Sequence, residues 1–277
     1  MKVGIVGLGL IGGSLGIDLR GGGYKVYGVS RKVATCETAM NKGVVDTAST
    51  ELASLVSVDV AIICTPIAHI ASTLQQLVPY LQPKAIVSDV GSVKEPIVRE
   101  CAKLWHNFIG GHPMAGTAQQ GIEAAIPNLF QGAAYVFTPQ RESAGLETLQ
   151  QLACSVGAIP YTCNPEDHDR AVAWISHLPV MISASLIAAC MGEEKPAVLE
   201  LAQQLASSGF RDTSRVGGGN PELGKMMAQY NQKALLRSLN AYRSSLDGII
   251  ELIEQENWDT LEQLLESNYQ ARPKFLN

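Results

Sequence analysis

The sequence predicts an α/β domain followed by an all-helical one, and three observations carry that reading. Short β-rich runs alternate with helical stretches from residue 1 to about residue 163. Several runs are almost continuously apolar, Val60-Ala61-Ile62-Ile63-Cys64 being the clearest, which suits parallel strands covered on both faces. After Asn164-Pro165 no strand-like run follows. Such alternation implies a doubly wound sheet with right-handed crossovers. The predicted domains are 1–163 and 164–277, with no low-complexity linker between them.

The expected strands are Lys2–Val6, Lys25–Val29, Val60–Cys64, Ala85–Asp89, Asn107–Gly110, Ala133–Thr138 and Ala158–Thr162, with helices such as Ile70–Leu81 and Glu142–Val156 between them. Asn164 then caps a helix, Pro165 suits its first position, and Glu166 and Asp167 complement its positive end. Asp167, His168 and Asp169 read as helix-start residues. Ala171–Met191 lacks Asp, Glu, Lys and Arg but contains Ser176, His177, Pro179, Ser183 and Ser185, so it reads as a buried helix of a soluble protein rather than a membrane span. Leu235, Leu236, Leu239, Tyr242, Leu246, Ile249, Ile250 and Ile253 form the apolar stripe of an amphipathic helix, and Trp258, Leu261, Leu264 and Leu265 begin another.

Composition narrows the function. The chain has 277 residues, 21 Lys+Arg against 26 Asp+Glu and a formal charge of −5, so it shows no basic footprint for nucleic acid or an anionic membrane. Six scattered cysteines without a C-x-x-C pair read as reduced core residues, and five histidines without metal spacing give no metal site. The glycine-rich start reads as a strand and turn rather than a signal peptide. A soluble, cytoplasmic protein is expected.

Gly7-Leu8-Gly9-Leu10-Ile11-Gly12 fits G-x-G-x-x-G between a buried strand and a helix, which makes the first domain Rossmann-type. Gly7 permits the turn, Gly9 lets backbone approach a pyrophosphate, Gly12 allows helix–strand packing, and free N–H groups at the helix start, around Leu10 and Ile11, face the phosphates. The competing reading is a glycine-rich packing turn without a ligand. The second strand ends Val29-Ser30-Arg31-Lys32, with no carboxylate to accept from a ribose 2′-hydroxyl. Ser30 offers a hydroxyl and Arg31 a fork for a 2′-phosphate, so NADP is the expected cofactor. Gly12, where NADP binders often carry Ala, argues the other way. Thr65 and Pro66 follow the next strand and are expected to line the cofactor, unless they merely open a helix.

Two further strand ends carry unusual polar content: Ser88-Asp89-Val90-Gly91-Ser92-Val93-Lys94 and Gly110-Gly111-His112-Pro113-Met114-Ala115-Gly116. His112 is placed to accept a proton from a hydroxyl during hydride transfer, and Ser92 to bond the same hydroxyl.

These blocks, with Glu166-Asp167-His168-Asp169-Arg170, Ser176-His177-Leu178-Pro179 and Phe210-Arg211-Asp212-Thr213-Ser214-Arg215, resemble the prephenate/arogenate dehydrogenases of tyrosine biosynthesis, in order, over most of the chain. The resemblance implies oxidative decarboxylation of a cyclohexadienol, with His112 as base, Ser92 orienting the hydroxyl, Arg215 holding the ring carboxylate and His177 facing the cleft. It is nearest to the single-function, NADP-dependent arogenate-using members, prephenate being the alternative substrate. Two rivals are weighed. A β-hydroxyacid-type dehydrogenase would need a catalytic lysine, and Lys225 and Lys233 lack the glycine-rich framing. A non-enzymatic NADP-binding sensor would need no base. Gly217-Gly218-Gly219-Asn220-Pro221 reads as a flexible loop able to close over substrate. The apolar content of 171–191 and 235–253 implies a homodimer through the helical halves.

Overall fold

The computed structural model describes residues 1–117, 119–141 and 144–276. Eight strands form one sheet: β1 (Lys2–Val6), β2 (Lys25–Val29), β3 (Thr47–Ser49), β4 (Val60–Ile63), β5 (Ile86–Asp89), β6 (Phe108–Pro113), β7 (Ala134–Thr138) and β8 (Ile159–Thr162). Their order is β3-β2-β1-β4-β5-β6-β7-β8. The chain therefore reverses its direction of travel between β1 and β4, and ligands of such sheets bind at the carboxyl edge of that switch point. Five helices accompany the sheet: α1 (Leu10–Gly21), α2 (Val33–Asn41), α3 (Ile70–Leu77), α4 (Glu95–Leu104) and α5 (Ala144–Ser155). Glu142, the expected start of α5, lies outside the described residues, as does Ser143.

Alternate residues of each strand feed opposite cores. Val3, Ile5, Val60 and Ile62 join Leu15, Leu19, Leu149 and Leu152 on one side. Val6, Ala61, Ile63 and Val87 join Ile70, Leu74, Ile97 and Val98 on the other. Burial on both faces is why these strands read as unbroken apolar runs. All six cysteines are free thiols.

Two features of the sheet depart from expectation. The three-residue β3 is too short to leave a sequence signal, and β7 runs antiparallel to β6. Among the described residues between β6 and β7 the chain forms one short helical turn, Ile122–Ala124, and no crossover helix. It docks on α1 through Ile126 N–H to Ser14 Oγ (3.0 Å) and Asn128 N–H to Asp18 Oδ1 (2.9 Å). That antiparallel ladder extends β6 to Pro113, so His112 sits within a strand opposite Val136, not in a loop after residue 110.

The helical region begins as expected, Asn164 Oδ1 accepting from Asp167 N–H at 2.8 Å. It comprises α6 (Pro165–Val172), α7 (Leu178–Met191), α8 (Pro196–Leu205), α9 (Ser208–Ser214), α10 (Pro221–Tyr230), α11 (Gln232–Glu254) and α12 (Trp258–Ala271). A wider, π-type turn at Ala173–His177 joins α6 to α7 into one continuous run. Pro179 cannot donate to the carbonyl four residues earlier, so the regular ladder is interrupted there. By compactness the chain divides into Met1–Asn231 and Gln232–Asn277. The change from alternating elements to helices falls at Asn164, but α6 to α10 stay with the sheet.

The run Ala171–Met191 is not the buried helix expected. Within α7 only Leu178 and Ser183 are buried, while Trp174, Ile175 and Met191 are about half exposed or more, at 47 %, 56 % and 58 %. Pro165–Met191 is long and apolar enough to cross a membrane by length and composition. Its polar residues are nonetheless in use: Ser183 Oγ donates to Thr213 O (2.7 Å) and accepts from Gly217 N–H (2.9 Å).

The packing also settles why residue 12 is glycine. A Cβ there would press into the Gly7 carbonyl and stand 3.0 Å from Ile5 Cγ2. Close approach of α1 to β1 dictates the residue, so Gly12 carries no information about the cofactor. Gly12→Ala is expected to destabilise the fold by about 1–3 kcal/mol through overpacking, read as a lower urea midpoint at unchanged slope.

Candidate functional site

The switch point places three segments at the carboxyl edge. Gly7 has φ +104°, and a Cβ on it would meet the Cys64 carbonyl oxygen at 2.7 Å, so the β1–α1 turn and the end of β4 fit only without a side chain. At Gly9 a Cβ would meet nothing within 4 Å. Gly9 caps α1 with no side-chain hydrogen bond, which leaves the N–H groups of the first turn, Leu10 and Ile11 included, open to an anion. An uncapped helix start facing open space at one glycine and hemmed by backbone at the other two fits a dinucleotide pyrophosphate.

Ser30 and Arg31 follow β2 beside this turn. Ser30 is pinned by its N–H to Ser49 O (3.1 Å), and Arg31 is exposed, with no ion-pair partner among the described residues. Thr65 is half-buried beyond β4, its hydroxyl 3.5 Å from Thr73 Oγ1, and Pro66 is exposed.

A second polar cluster lies at the ends of β5 and β6. Lys94 is fully buried, its ammonium paired with Asp89 and donating to Gly111 O at 2.6 Å. Asp89 also accepts from Gly91 N–H (2.8 Å) and Gly111 N–H (3.0 Å). Burial lowers the Lys94 pKa, and the Asp89 charge pulls it back up. These bonds hold the loop bearing Ser92, which is half-buried, against the strand bearing His112.

His112 is half-buried, and its Nδ1 lies 2.9 Å from His168 Nε2. His168 Nδ1 in turn lies 2.7 Å from Asp169 Oδ1, and Asp169 accepts the Lys94 N–H (2.6 Å) and the Glu95 N–H (2.8 Å) at the start of α4. His168 and Asp169 were expected only to open a helix. Instead they turn inward with Val172 and connect α6 to the sheet, and Glu166 and Asp167 serve the helix start. Their signal was available: His168, Asp169 and Val172 share one face, while Glu166, Asp167 and Arg170 do not.

His177 is buried (1 % exposed) through the π-type turn. The Asn231 amide bridges His177 Nδ1 (3.1 Å) and the Asp169 carbonyl (2.8 Å), and His177 Nε2 has no partner among the described residues. Burial and then the neighbouring His168, Lys94 and His177 hold His112 well below the ordinary histidine range. Burial lowers His177 to about 4, against the opposing pull of Asp169.

Arg215 is placed differently. It caps the C-terminal end of α9, exposed, between the two Ser183 hydrogen bonds at Thr213 and Gly217. Gly217 is no flexible hinge: a Cβ on it would press into the α7 backbone, with Ala184 Cα at 2.8 Å. The structure thus gathers His112, His177, His168 and Asp169 into one cluster, with Ser92 on the adjoining loop. Arg215 belongs to the α7–α9 contact instead.

Both depressed histidines predict how stability follows pH. An unfolded histidine titrates near 6.5, so below that value the unfolded chain takes up protons that the folded one refuses. Stability is therefore expected to hold above about pH 6.5 and to fall as pH drops toward 4, the value for His177. His177→Asn is expected to flatten that decline in Tm between pH 7 and pH 5. An equally steep decline would contradict the assigned shift.

A family model described as prephenate dehydrogenase, nucleotide-binding domain, matches residues 15–159, and one described as prephenate dehydrogenase, dimerization domain, matches residues 164–267. The crystal structure of Synechocystis arogenate dehydrogenase is 54 % identical, with all of both chains covered and a TM-score of 0.94. Prephenate dehydrogenase from A. aeolicus, solved with hydroxyphenyl propionate and NAD+, is 27 % identical over 99 % of this chain and 98 % of that one, with a TM-score of 0.91. Prephenate dehydrogenase of Bacillus subtilis (strain 168) is 29 % identical over 93 % of this chain and 71 % of its own.

Proposed function

The chain belongs to the prephenate dehydrogenase family, and from that premise we propose that it carries out the NADP-dependent oxidative decarboxylation of arogenate to tyrosine. The observation that carries the substrate choice is the 54 % identity, over the whole chain, to an arogenate dehydrogenase. The cofactor choice rests on Ser30 and Arg31 after β2, where no carboxylate would repel a 2′-phosphate.

The α1 N-terminus and Gly9 hold the pyrophosphate, Arg31 and Ser30 the 2′-phosphate, and Thr65 and Pro66 the side of the cofactor nearer the reaction. When bound, the nicotinamide supplies the hydride acceptor. His112, neutral at physiological pH because burial disfavours its charged form, accepts the proton of the ring hydroxyl. Ser92 orients that hydroxyl. Hydride leaves the hydroxyl-bearing carbon, the bond to the ring carboxylate breaks, its electron pair completes the aromatic ring as carbon dioxide departs, and the ring oxygen takes back the proton held by His112. Aromatisation drives the second event, so the protein's task is orientation and a base. Arg215 is assigned to the ring carboxylate; its exposed place on α9 requires that substrate, or a partner copy, cover it. His177 is assigned to the substrate through its buried Nε2, which has no partner among the described residues.

The test is reduced-cofactor absorbance with each pairing of NADP or NAD and arogenate or prephenate. Turnover with NADP and arogenate is expected. Turnover with prephenate alone would overturn the substrate, and silence with both, despite NADP binding, the reaction. Arg31→Ala is expected to raise KM for NADP roughly ten- to hundredfold, the worth of a charged hydrogen bond, and to leave NAD kinetics unchanged.

The proposed assembly is a cytoplasmic homodimer through the helical region. Its support is the exposed apolar surface of Ile175, Met191, Leu201, Leu205, Ile250 and Trp258, together with the dimerization-domain match. Light scattering at micromolar concentration should give twice the 29.6 kDa chain mass. A monomer would refute the assembly.

A further inference from the structure

We propose that Asp169 and His168 form a positioning relay that locks His112 in the tautomer with a bare Nε2, so that His112 meets a substrate hydroxyl only as an acceptor. The assignment starts from a fixed end. Asp169 accepts two backbone N–H groups of α4, from Lys94 at 2.6 Å and Glu95 at 2.8 Å, and neither donor can reverse. A carboxylate is acceptor-only, so its contact with His168 Nδ1 at 2.7 Å requires the proton on that nitrogen. A neutral His168 then has a lone pair at Nε2. The 2.9 Å contact with His112 Nδ1 is satisfied only if His112 carries its proton there. The lone pair of His112 is left on Nε2.

The opposite outcome needs a doubly protonated His168, which would donate to His112 Nδ1 and turn His112 into a donor at Nε2. His168 is 2 % exposed, and the Lys94 ammonium already faces the same cluster. A second buried cation there is disfavoured. The relay also serves the step itself. Once His112 has taken a proton at Nε2, its Nδ1–H still points along a chain that ends in a carboxylate. His168 and Asp169 touch no reacting atom in this scheme and are positioning residues. The catalytic part of the inference rests on His112 being the base; the tautomer part does not.

The experiment uses the full-length protein with 15N-labelled histidine and no ligand, its ring signals assigned by single His→Gln replacements. His112 and His168 should each carry a proton on Nδ1 and none on Nε2. Asp169 Oδ1 accepts from both Lys94 N–H and His168 Nδ1, while Oδ2 accepts from Glu95 N–H, so Asp169→Ala removes the acceptor that keeps the His168 proton on Nδ1. Both rings should then lose their single tautomer, and kcat should fall a hundredfold or more, in the manner of orienting-aspartate changes in hydrolase triads, with KM little altered. His168→Leu leaves the α4 cap intact, serves if Asp169→Ala fails to fold, and should lower kcat similarly while cofactor affinity stays unchanged. A wild-type His112 protonated at Nε2, or a folded variant with tautomer and kcat unchanged, would overturn the relay. Absence of turnover by the wild-type protein would instead refute the proposed reaction, and the ring signals would still decide the tautomer.

Discussion

A buried lysine holds the reaction end of the sheet together. The Lys94 ammonium joins Asp89 on β5 to the Gly111 carbonyl on β6, and Asp89 reaches back to the Gly91 and Gly111 N–H groups. Its own backbone N–H then engages Asp169. One residue thus connects two strands, the loop that carries Ser92 and the helix that carries His168. Removing two charges from water costs several kcal/mol per ion, and their attraction returns little more than that. The pair is therefore better understood as specifying a geometry than as adding stability. Loss of either partner would strand a full charge in the core.

Much of the fold was legible because it is local. The β1–turn–α1 unit, the Asn164-Pro165 helix start and the stripe of α11 are each set by residues within a few positions of one another, and they stand where the pattern put them. What escaped the sequence is set by partners distant in the chain. The antiparallel β7 depends on a connection that docks on α1 instead of crossing over. The three residues of β3 owe their conformation to pairing with β2. Lys94 looks like any lysine until topology brings the Gly111 carbonyl to it.

The candidate site divides the same way. His112 and Ser92 could be singled out from unusual polar residues at strand ends, whereas His177, inside an apolar run, was pointed to only by the resemblance of Ser176-His177-Leu178-Pro179. His168 and Asp169 were passed over because acidic residues and histidine near a helix start have a sufficient local explanation. Asn231 gave no signal at all: its role comes from lying 62 residues from Asp169 in sequence and within 2.8 Å of its carbonyl. Gly12 was over-read, as evidence on cofactor preference, when helix-to-strand distance alone accounts for it. For the run 171–191 hydropathy was a correct measure of apolarity and a poor guide to burial, since it does not say which molecule supplies the cover.

The π-type turn at Ala173–His177 makes α6 and α7 unequal to a single ideal helix. A turn of that kind holds one residue more than an α-turn, and an ideal helix advances about 100° per residue. The face that α7 presents is consequently set by an insertion, not by the identity of any side chain. Deleting one residue from this stretch would keep every apolar residue of α7 and the composition of the helix, yet swing Ser183 away from Thr213 and Gly217. Homologous chains that differ here by one residue would be expected to differ in how α9, and Arg215 with it, is oriented, even where every aligned functional residue is the same.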